Sequence, residues 1–362
     1  MKRMKPEWKS FLIDNGAEYA SEDEIEVQSY GNAEREHRVT LSGTVLCDLS
    51  HLGMIEAYGD DAQTFLQGQT TNNIIHLNGS RSQLNALCNP KGRMLASFRA
   101  FRRGDTYYFV LSRDLLEDTL KRLQMYVMMS KITLEDGSES LVHFGLSGPQ
   151  ADDELKAALN VCPDLMDQII EKDGISILRT ASPFPRFELY GELEPMQRLW
   201  GKLNVRCAPV GAENWRLLDI LAGVPMIVQA TKEAFIPQMV NFQLINGVSF
   251  HKGCYTGQEI VARTHYLGRQ KRRLYRLQFK NGEQPSPADK LYSSGDDKGQ
   301  PVGTIVSAAP HPDGGFAALA VLKIEFAEKD SGIFLEGNKN TLAEVHIPPY
   351  GFPVEPKEEN ES

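Results

Sequence analysis

The chain reads as an α+β protein of more than one unit, with a closed or sandwiched β unit at its C-terminal end. Three observations predict this. Short strands follow one another through tight, glycine-containing turns between residues 83 and 111. Strands and helices interleave over residues 134–204, and beyond Gly268 the helical pattern gives way to short strands. A domain holds roughly 100–200 residues, so a chain of 362 is expected to form two or three.

Residues 1–40 are acidic and weakly periodic, which suggests an arm or a short helix. GMIEAYG (53–59) reads as a strand. Asp60 and Asp61 then stand where a helix cap belongs, ahead of Ala62, Phe65 and Leu66, with Gly68 as the stop. QLNALC (83–88), MLASFRAF (94–101) and TYYFVL (106–111) have strand composition and are joined by NPKGR and RRGD turns, an antiparallel meander. The apolar spacing of Leu115, Leu116, Leu120, Leu123 and Val127 predicts a helix over 113–129. From about Leu134 a smaller unit is expected, with strands LVHFGLSG, ISILRT and RFELYG and helices near 150–159 and 194–203, a ferredoxin-like α+β layer. GAENWRLLDILAGVP (211–225) predicts a helix stopped by Gly223 and Pro225. RLYRLQF, PVGTIVSAA, FAALAVLKI and LAEVHI read as short strands of a closed or sandwiched β unit over 268–352, and residues 353–362 read as a disordered acidic tail.

Apolar residues make up 41% of the chain and charged residues 24%, an ordinary soluble composition. No stretch approaches the ~20 apolar residues of a membrane span, and the N-terminus has no apolar signal core. A net charge of −9 disfavours nucleic acid and anionic membranes as partners. The cysteines at 47, 88, 162, 207 and 254 are scattered, with no C-x-x-C pair, so neither a disulfide framework nor a closed zinc site is expected. A reducing cytoplasm fits this usage.

The densest chemistry lies in SFHKGCYTGQEIVARTHYLGRQKRR (249–273). Thr256-Gly-Gln-Glu259 has the form of a capping box opening a helix. Cys254 would then stand before a helix N-terminus with Lys252 beside it, and both favour a thiolate. The competing reading is a buried, inert Cys at a turn that Gly253 and Gly257 permit. Glu259 is either a cap or a carboxylate with two acceptors for a flat heterocycle presenting adjacent N–H donors, such as a pterin edge. Arg263 stands at i+4 from Glu259, where an ion pair forms on a helix face. Arg269, Lys271, Arg272, Arg273 and Arg276 suit an anionic ligand tail or a solvated strand face. A P-loop, H-E-x-x-H and a strand-linked GxGxxG are all absent.

Lys252-Gly-Cys-Tyr-Thr-Gly-Gln-Glu259 resembles the signature of the YgfZ family of folate-binding proteins, relatives of the glycine-cleavage T-protein. Phe65-Leu-Gln-Gly-Gln-Thr-Thr71, Cys88-Asn-Pro-Lys-Gly-Arg-Met94, Trp215–Pro225 and Phe235-Ile-Pro-Gln238 resemble further family segments, in the family's order over roughly 41–350. The resemblance implies a three-domain, T-protein-like cloverleaf with a C-terminal β-barrel over 268–352, and with tetrahydrofolate or a one-carbon derivative in its central opening. It makes 41–133 and 205–267 one discontinuous folate-binding region, with 134–204 as the small domain. It implies support of iron–sulfur cluster assembly or repair, acting on cluster-dependent enzymes that include tRNA-modifying ones. Cys254 and Lys252 would then carry the chemistry, and Gly253, Tyr255, Gly257, Gln258, Glu259, Arg263 and Arg269 would bind folate. Iron–sulfur enzymes or assembly proteins are the implied partners.

One departure bears on the activity. The T-protein's aspartate pair aligns here with Ala96 and Ser97, neither of which moves a proton near neutral pH. Aminomethyl transfer is therefore not expected. A different one-carbon transfer would need another base, for which Asp48 and His51 are the candidates. A folate-gated adaptor with a structural cysteine is the non-enzymatic alternative.

Overall fold

The computed structural model describes residues 4–268, 270–296, 299–329, 332–338 and 341–353. The expected disordered tail lies outside them except for its first residue, and Arg269 lies outside them too.

The expected meander is present and gains two strands. Gln83–Cys88, Met94–Arg103, Thr106–Ser112, Leu52–Tyr58 and Thr133–Asp136 form a five-stranded antiparallel sheet in that order. Ala96, Phe98 and Ala100 join a core with Phe65, Leu66 and Ile74, beneath helix Ala62–Gln67. Phe101, on the opposite face, stacks on Tyr108 at 5.1 Å and meets Tyr190 at 4.6 Å. Tyr190 belongs to a second sheet, so the two sheets join through a shared aromatic layer.

That second sheet has six strands, ordered Ile169–Lys172, Ile175–Arg179, Arg186–Gly191, Val142–Ser147, Val45–Asp48 and Ala208–Val210. Only the last pair is parallel. Val45–Asp48 and Ala208–Val210 come from outside the span 134–204 expected for this unit. The boundary at 134 falls inside Thr133–Asp136, which pairs with Leu52–Tyr58 in the first sheet. Residues 134–204 are therefore not a self-contained layer, because two of the six strands are borrowed. Helices Ala151–Leu159 and Leu193–Leu203 cover the sheet and bury Leu155, Leu199 and Trp200.

The 1–40 stretch is not a free arm. Helix Pro6–Asp14 buries Trp8 and Leu12 in the second sheet's core, and Trp8 donates to buried Asp48 at 2.8 Å. Helix Ala33–Ser42 ties the segment to the centre, where Thr40 Oγ1 donates to Asn214 at 2.9 Å. The helix expected over 113–129 is shorter, running Leu116–Met125 after a 3₁₀ turn. Met128 and Met129 are almost fully exposed, so nothing packs against a continuation, and packing sustains most short helices.

The C-terminal strands close as expected into a six-stranded antiparallel barrel: Arg272–Phe279, Phe316–Lys323, Gly303–Pro310, Lys290–Ser293, Ile333–Leu335 and Leu342–His346. Phe316–Lys323 is rich in alanine and buried on both faces. Leu277, Ala318 and Leu322 fill the barrel, while Ala317, Leu319 and Val321 face the main core. Helix Ala212–Ala222 packs on these barrel strands and on Val45–Asp48, so it wedges between barrel and second sheet. The wedge is tight: a Cβ on Gly145 would fall 2.2 Å from the Trp215 ring.

Candidate functional site

Two places gather the polar groups. The first is the signature stretch. The segment Gln67–Asn73 lies against residues 246–252: Thr71 Oγ1 donates to Gly247 O at 2.8 Å, Ser249 N to Thr71 O at 3.0 Å, and Asn72 Nδ2 to Asn246 O at 2.6 Å. Lys252 Nζ donates to the carbonyls of Gln67 (2.8 Å), Thr70 (2.5 Å) and Asn72 (2.8 Å). On the other side the turn Asn89–Gly92 approaches Gly257 so closely that a Cβ there would lie 2.4 Å from Asn89 O. Gly257 also takes φ +84°, which glycine adopts without strain. Gln67–Asn73 and Asn89–Gly92, far apart in sequence, thus form one platform under residues 250–257.

On this platform Cys254 is exposed, whereas the other four cysteines are buried. Tyr255 is buried, its ring centre 5.2 Å from Lys252 Nζ, and burial pushes its phenol well up. Burial pulls the Lys252 ammonium down to about 7, opposed by the three carbonyls, since only the charged form has three N–H groups to give.

Several sequence expectations change here. The capping box does not form: left-handed Gly257 is the N-cap of helix Gln258–Tyr266, and no side chain caps it. Cys254 stands three residues before the N-cap, and the amine of Lys252 is committed to main-chain oxygens. Glu259 and Arg263 are both exposed, with no ion pair between them. His265 stacks on Phe250 at 3.7 Å. Gly253 and Gln258 lie on the platform surface, half-buried or exposed.

The second place is a cavity of about 1080 Å³ where the first sheet, helix Ala212–Ala222 and the barrel meet. Leu52, Leu116, Trp215, Met226 and Val306 supply apolar wall, and His51, Arg113, Asp136, Arg216 and Asp219 supply polar groups. No signature residue lines it. Lys271 and Arg272 of the basic run are exposed elsewhere, and Arg276 donates to Leu221 O at 3.3 Å.

A smaller buried pocket adjoins it, lined by Ser97, Arg99, Arg186, Glu188 and Asp219. Arg186, 1% exposed, donates to Asp219 Oδ1 at 2.7 Å and lies 3.9 Å over the Trp215 ring. Burial raises the Asp219 carboxyl, and Arg186 opposes the shift. Among the described residues Asp219 Oδ2 has no hydrogen-bond partner. Glu188 accepts from Tyr190 OH at 2.6 Å and lies 3.9 Å from Arg99, which also holds Asp167 at 2.7 Å. Burial alone would raise Glu188, but His143 and Arg99 hold it down at about 2. Composition and spacing did not single these residues out. The available signal was charge inside strand patterns, Arg99 in MLASFRAF and Arg186 with Glu188 in RFELYG. Of the aligned pair, Ala96 is sealed in the core and Ser97 Oγ accepts from Ile227 N at 2.8 Å.

Arg113 Nη2 donates to Ser50 O at 2.8 Å and Leu52 O at 2.6 Å, while its Nε and Nη1 are buried without partners among the described residues. His51 Nδ1 is likewise buried without a partner among the described residues, and burial followed by Arg216 lowers this imidazole to about 3. As pH falls, the unfolded chain takes up that proton first, so His51 contributes stability above pH ~6.5 that is lost progressively towards pH 3. Neighbouring Asp48, raised by burial to about 6, has the opposite slope between its ordinary range and pH 6. His51→Gln is expected to flatten the acid limb. Between pH 6.5 and 4 the wild type should lose about 2–3 kcal/mol more than the variant in denaturant titrations. Parallel pH curves for the two proteins would refute the assignment.

Residues 12–167 match the GCVT N-terminal domain family. A tRNA-modifying protein YgfZ from Hamiltonella defensa is 34% identical over 81% of this chain and 87% of its own length. The chain belongs to the YgfZ family. A second YgfZ protein, from Serratia proteamaculans, is 32% identical over 86% of the chain and 93% of its own length. The glycine cleavage system aminomethyltransferase T from Bartonella henselae superposes with a TM-score of 0.72 at 19% identity, over 97% of this chain and 98% of that one. The YgfZ chain therefore has the aminomethyltransferase fold, the cloverleaf expected from its signature. Among the described residues no helix is long and apolar enough to cross a membrane.

Proposed function

We propose that this chain binds tetrahydrofolate or a one-carbon derivative in the central cavity, and supports iron–sulfur enzymes or their assembly proteins through Cys254. tRNA-modifying enzymes would be among those supported. The observation that carries the reading is Asp219 at the junction of the two cavities, with one oxygen held by Arg186 and the other free. A pterin presents adjacent N–H donors on one edge, and a carboxylate fixed at one oxygen can accept from them with the other. Trp215, Met226 and Leu52 supply apolar wall for the flat ring, and the volume is of the size that encloses such a ligand. The residues present fit the group, and Asp219 replaces exposed Glu259 as the carboxylate for the pterin. When bound, tetrahydrofolate supplies ring nitrogens able to carry a one-carbon unit.

Aminomethyl transfer is the weaker reading, because Ser97 Oγ is engaged by Ile227 N and Ala96 is sealed in the core. Cys254, the one exposed thiol among five free cysteines, is the available reactive group, and free thiols suit the reducing cytoplasm. The test is calorimetric titration with tetrahydrofolate, paired with the activity of a cluster-dependent tRNA-modifying enzyme in cells lacking the protein. Asp219→Asn should weaken binding at least tenfold. Cys254→Ser should bind normally and fail to restore enzyme activity. Absence of binding by the wild type would refute the folate site, and full restoration by Cys254→Ser would leave only an adaptor.

A further inference from the structure

Residues 251–254 lead from Phe250, which packs on the core and stacks on His265, to exposed Cys254, and an added Cβ on Gly253 would meet nothing within 4 Å. Before this loop, Ser249 N is bonded to Thr71 O; after it, buried Tyr255 and close-packed Gly257 anchor the chain. Between those anchors the only hydrogen bonds among the described residues are the three from Lys252 Nζ, to the carbonyls of Gln67, Thr70 and Asn72. Gln67 is the last residue of its helix, where carbonyls lack helical partners and attract positive charge. Three main-chain oxygens converging on one nitrogen match the three N–H bonds of an ammonium. A planar guanidinium cannot direct its forked donors in that way. With all three protons given to the backbone, Lys252 has no N–H left for a substrate.

We infer that Lys252 is a positioning residue: its ammonium fills a backbone carbonyl cradle and thereby holds the Cys254 loop in place. This gives Lys252 a different role from that of a chemical partner to the thiol. It rests on the reading that Cys254 is the reactive group, but the geometry of the latch is independent of folate.

A nitroxide placed on Cys254 of the full chain reads loop motion directly, because the other cysteines are buried. In Lys252→Ala the label's rotational correlation time should shorten at least threefold. The alkylation rate of the unlabelled thiol should change by a similar factor. Propylammonium, which supplies the missing N–H donors, should restore both. Tetramethylammonium, with the same charge and no N–H, should restore neither. Lys252→Met keeps an apolar stem without donors and should show the same mobile label, so it serves if the alanine variant does not fold. Wild-type mobility in the folded variant, or equal rescue by the two cations, would overturn the latch. Loosening of the loop in Lys252→Ala, with Cys254→Ser still fully functional, would keep the latch and sink the proposed role of the thiol. An unmoved loop with Cys254→Ser inactive would do the reverse.

Discussion

Trp8→Ala is expected to lower the unfolding free energy by about 3–5 kcal/mol, the range for deleting a large buried aromatic. Trp8 is 1% exposed, stacks on Phe144 at 6.1 Å and presents an edge to Trp200 at 5.7 Å. Its loss opens a cavity in the second sheet's core and also removes the indole N–H from Asp48, a carboxylate already raised by burial. Trp8→Phe should separate the two effects, retaining most of the packing and losing about 1–2 kcal/mol for the missing hydrogen bond. Urea titration at pH 7 measures both. Were residues 1–40 a detachable arm, either change would fall within about 0.5 kcal/mol of the wild type.

The second large effect is expected at Arg186. Arg186→Met removes a buried guanidinium from between Asp219 and the Trp215 ring, leaving the Asp219 carboxylate without its partner. Breaking a buried pair from one side costs about 3–5 kcal/mol, more than the pair itself contributes. Arg186→Met combined with Asp219→Asn should therefore be more stable than Arg186→Met alone. Additive losses in that double variant would show that Arg186 acts mainly through packing on Trp215. Tetrahydrofolate binding should weaken in the single variant, since the free oxygen of Asp219 is held in place by the bonded one.

The elements readable from sequence were those whose pattern is local. The meander strand Gln83–Cys88, the strand Arg186–Gly191 and the helix closed by Gly223 were placed within a residue or two of their observed bounds. Val45–Asp48 is not legible in the sequence because all four residues are buried, which leaves no alternation, and its partners lie far along the chain. The same distinction holds at the sites. The segments around Thr71, Gly92 and Cys254 were recognisable as motifs, but their convergence is a tertiary fact. The local box at Thr256–Glu259 does not form at that convergence, where Asn89 O leaves no room for a Cβ and left-handed Gly257 is the N-cap. Arg99, Arg186 and Asp219 come from three separate elements, so no spacing in the chain announces their neighbourhood.

The borrowed strands have a consequence for synthesis. Val45 and Leu46 leave the ribosome long before Val142–Ser147 emerges to pair with them, and longer still before Ala208–Val210 completes the sheet. During that interval an apolar strand must wait unpaired, a state open to capture by chaperones or to misassembly. The central cavity is finished last, since Val306–Ala308 of the barrel form part of its wall. No nascent chain that lacks the barrel has the whole pocket, so occupancy of the cavity would distinguish a completed molecule from every partial one.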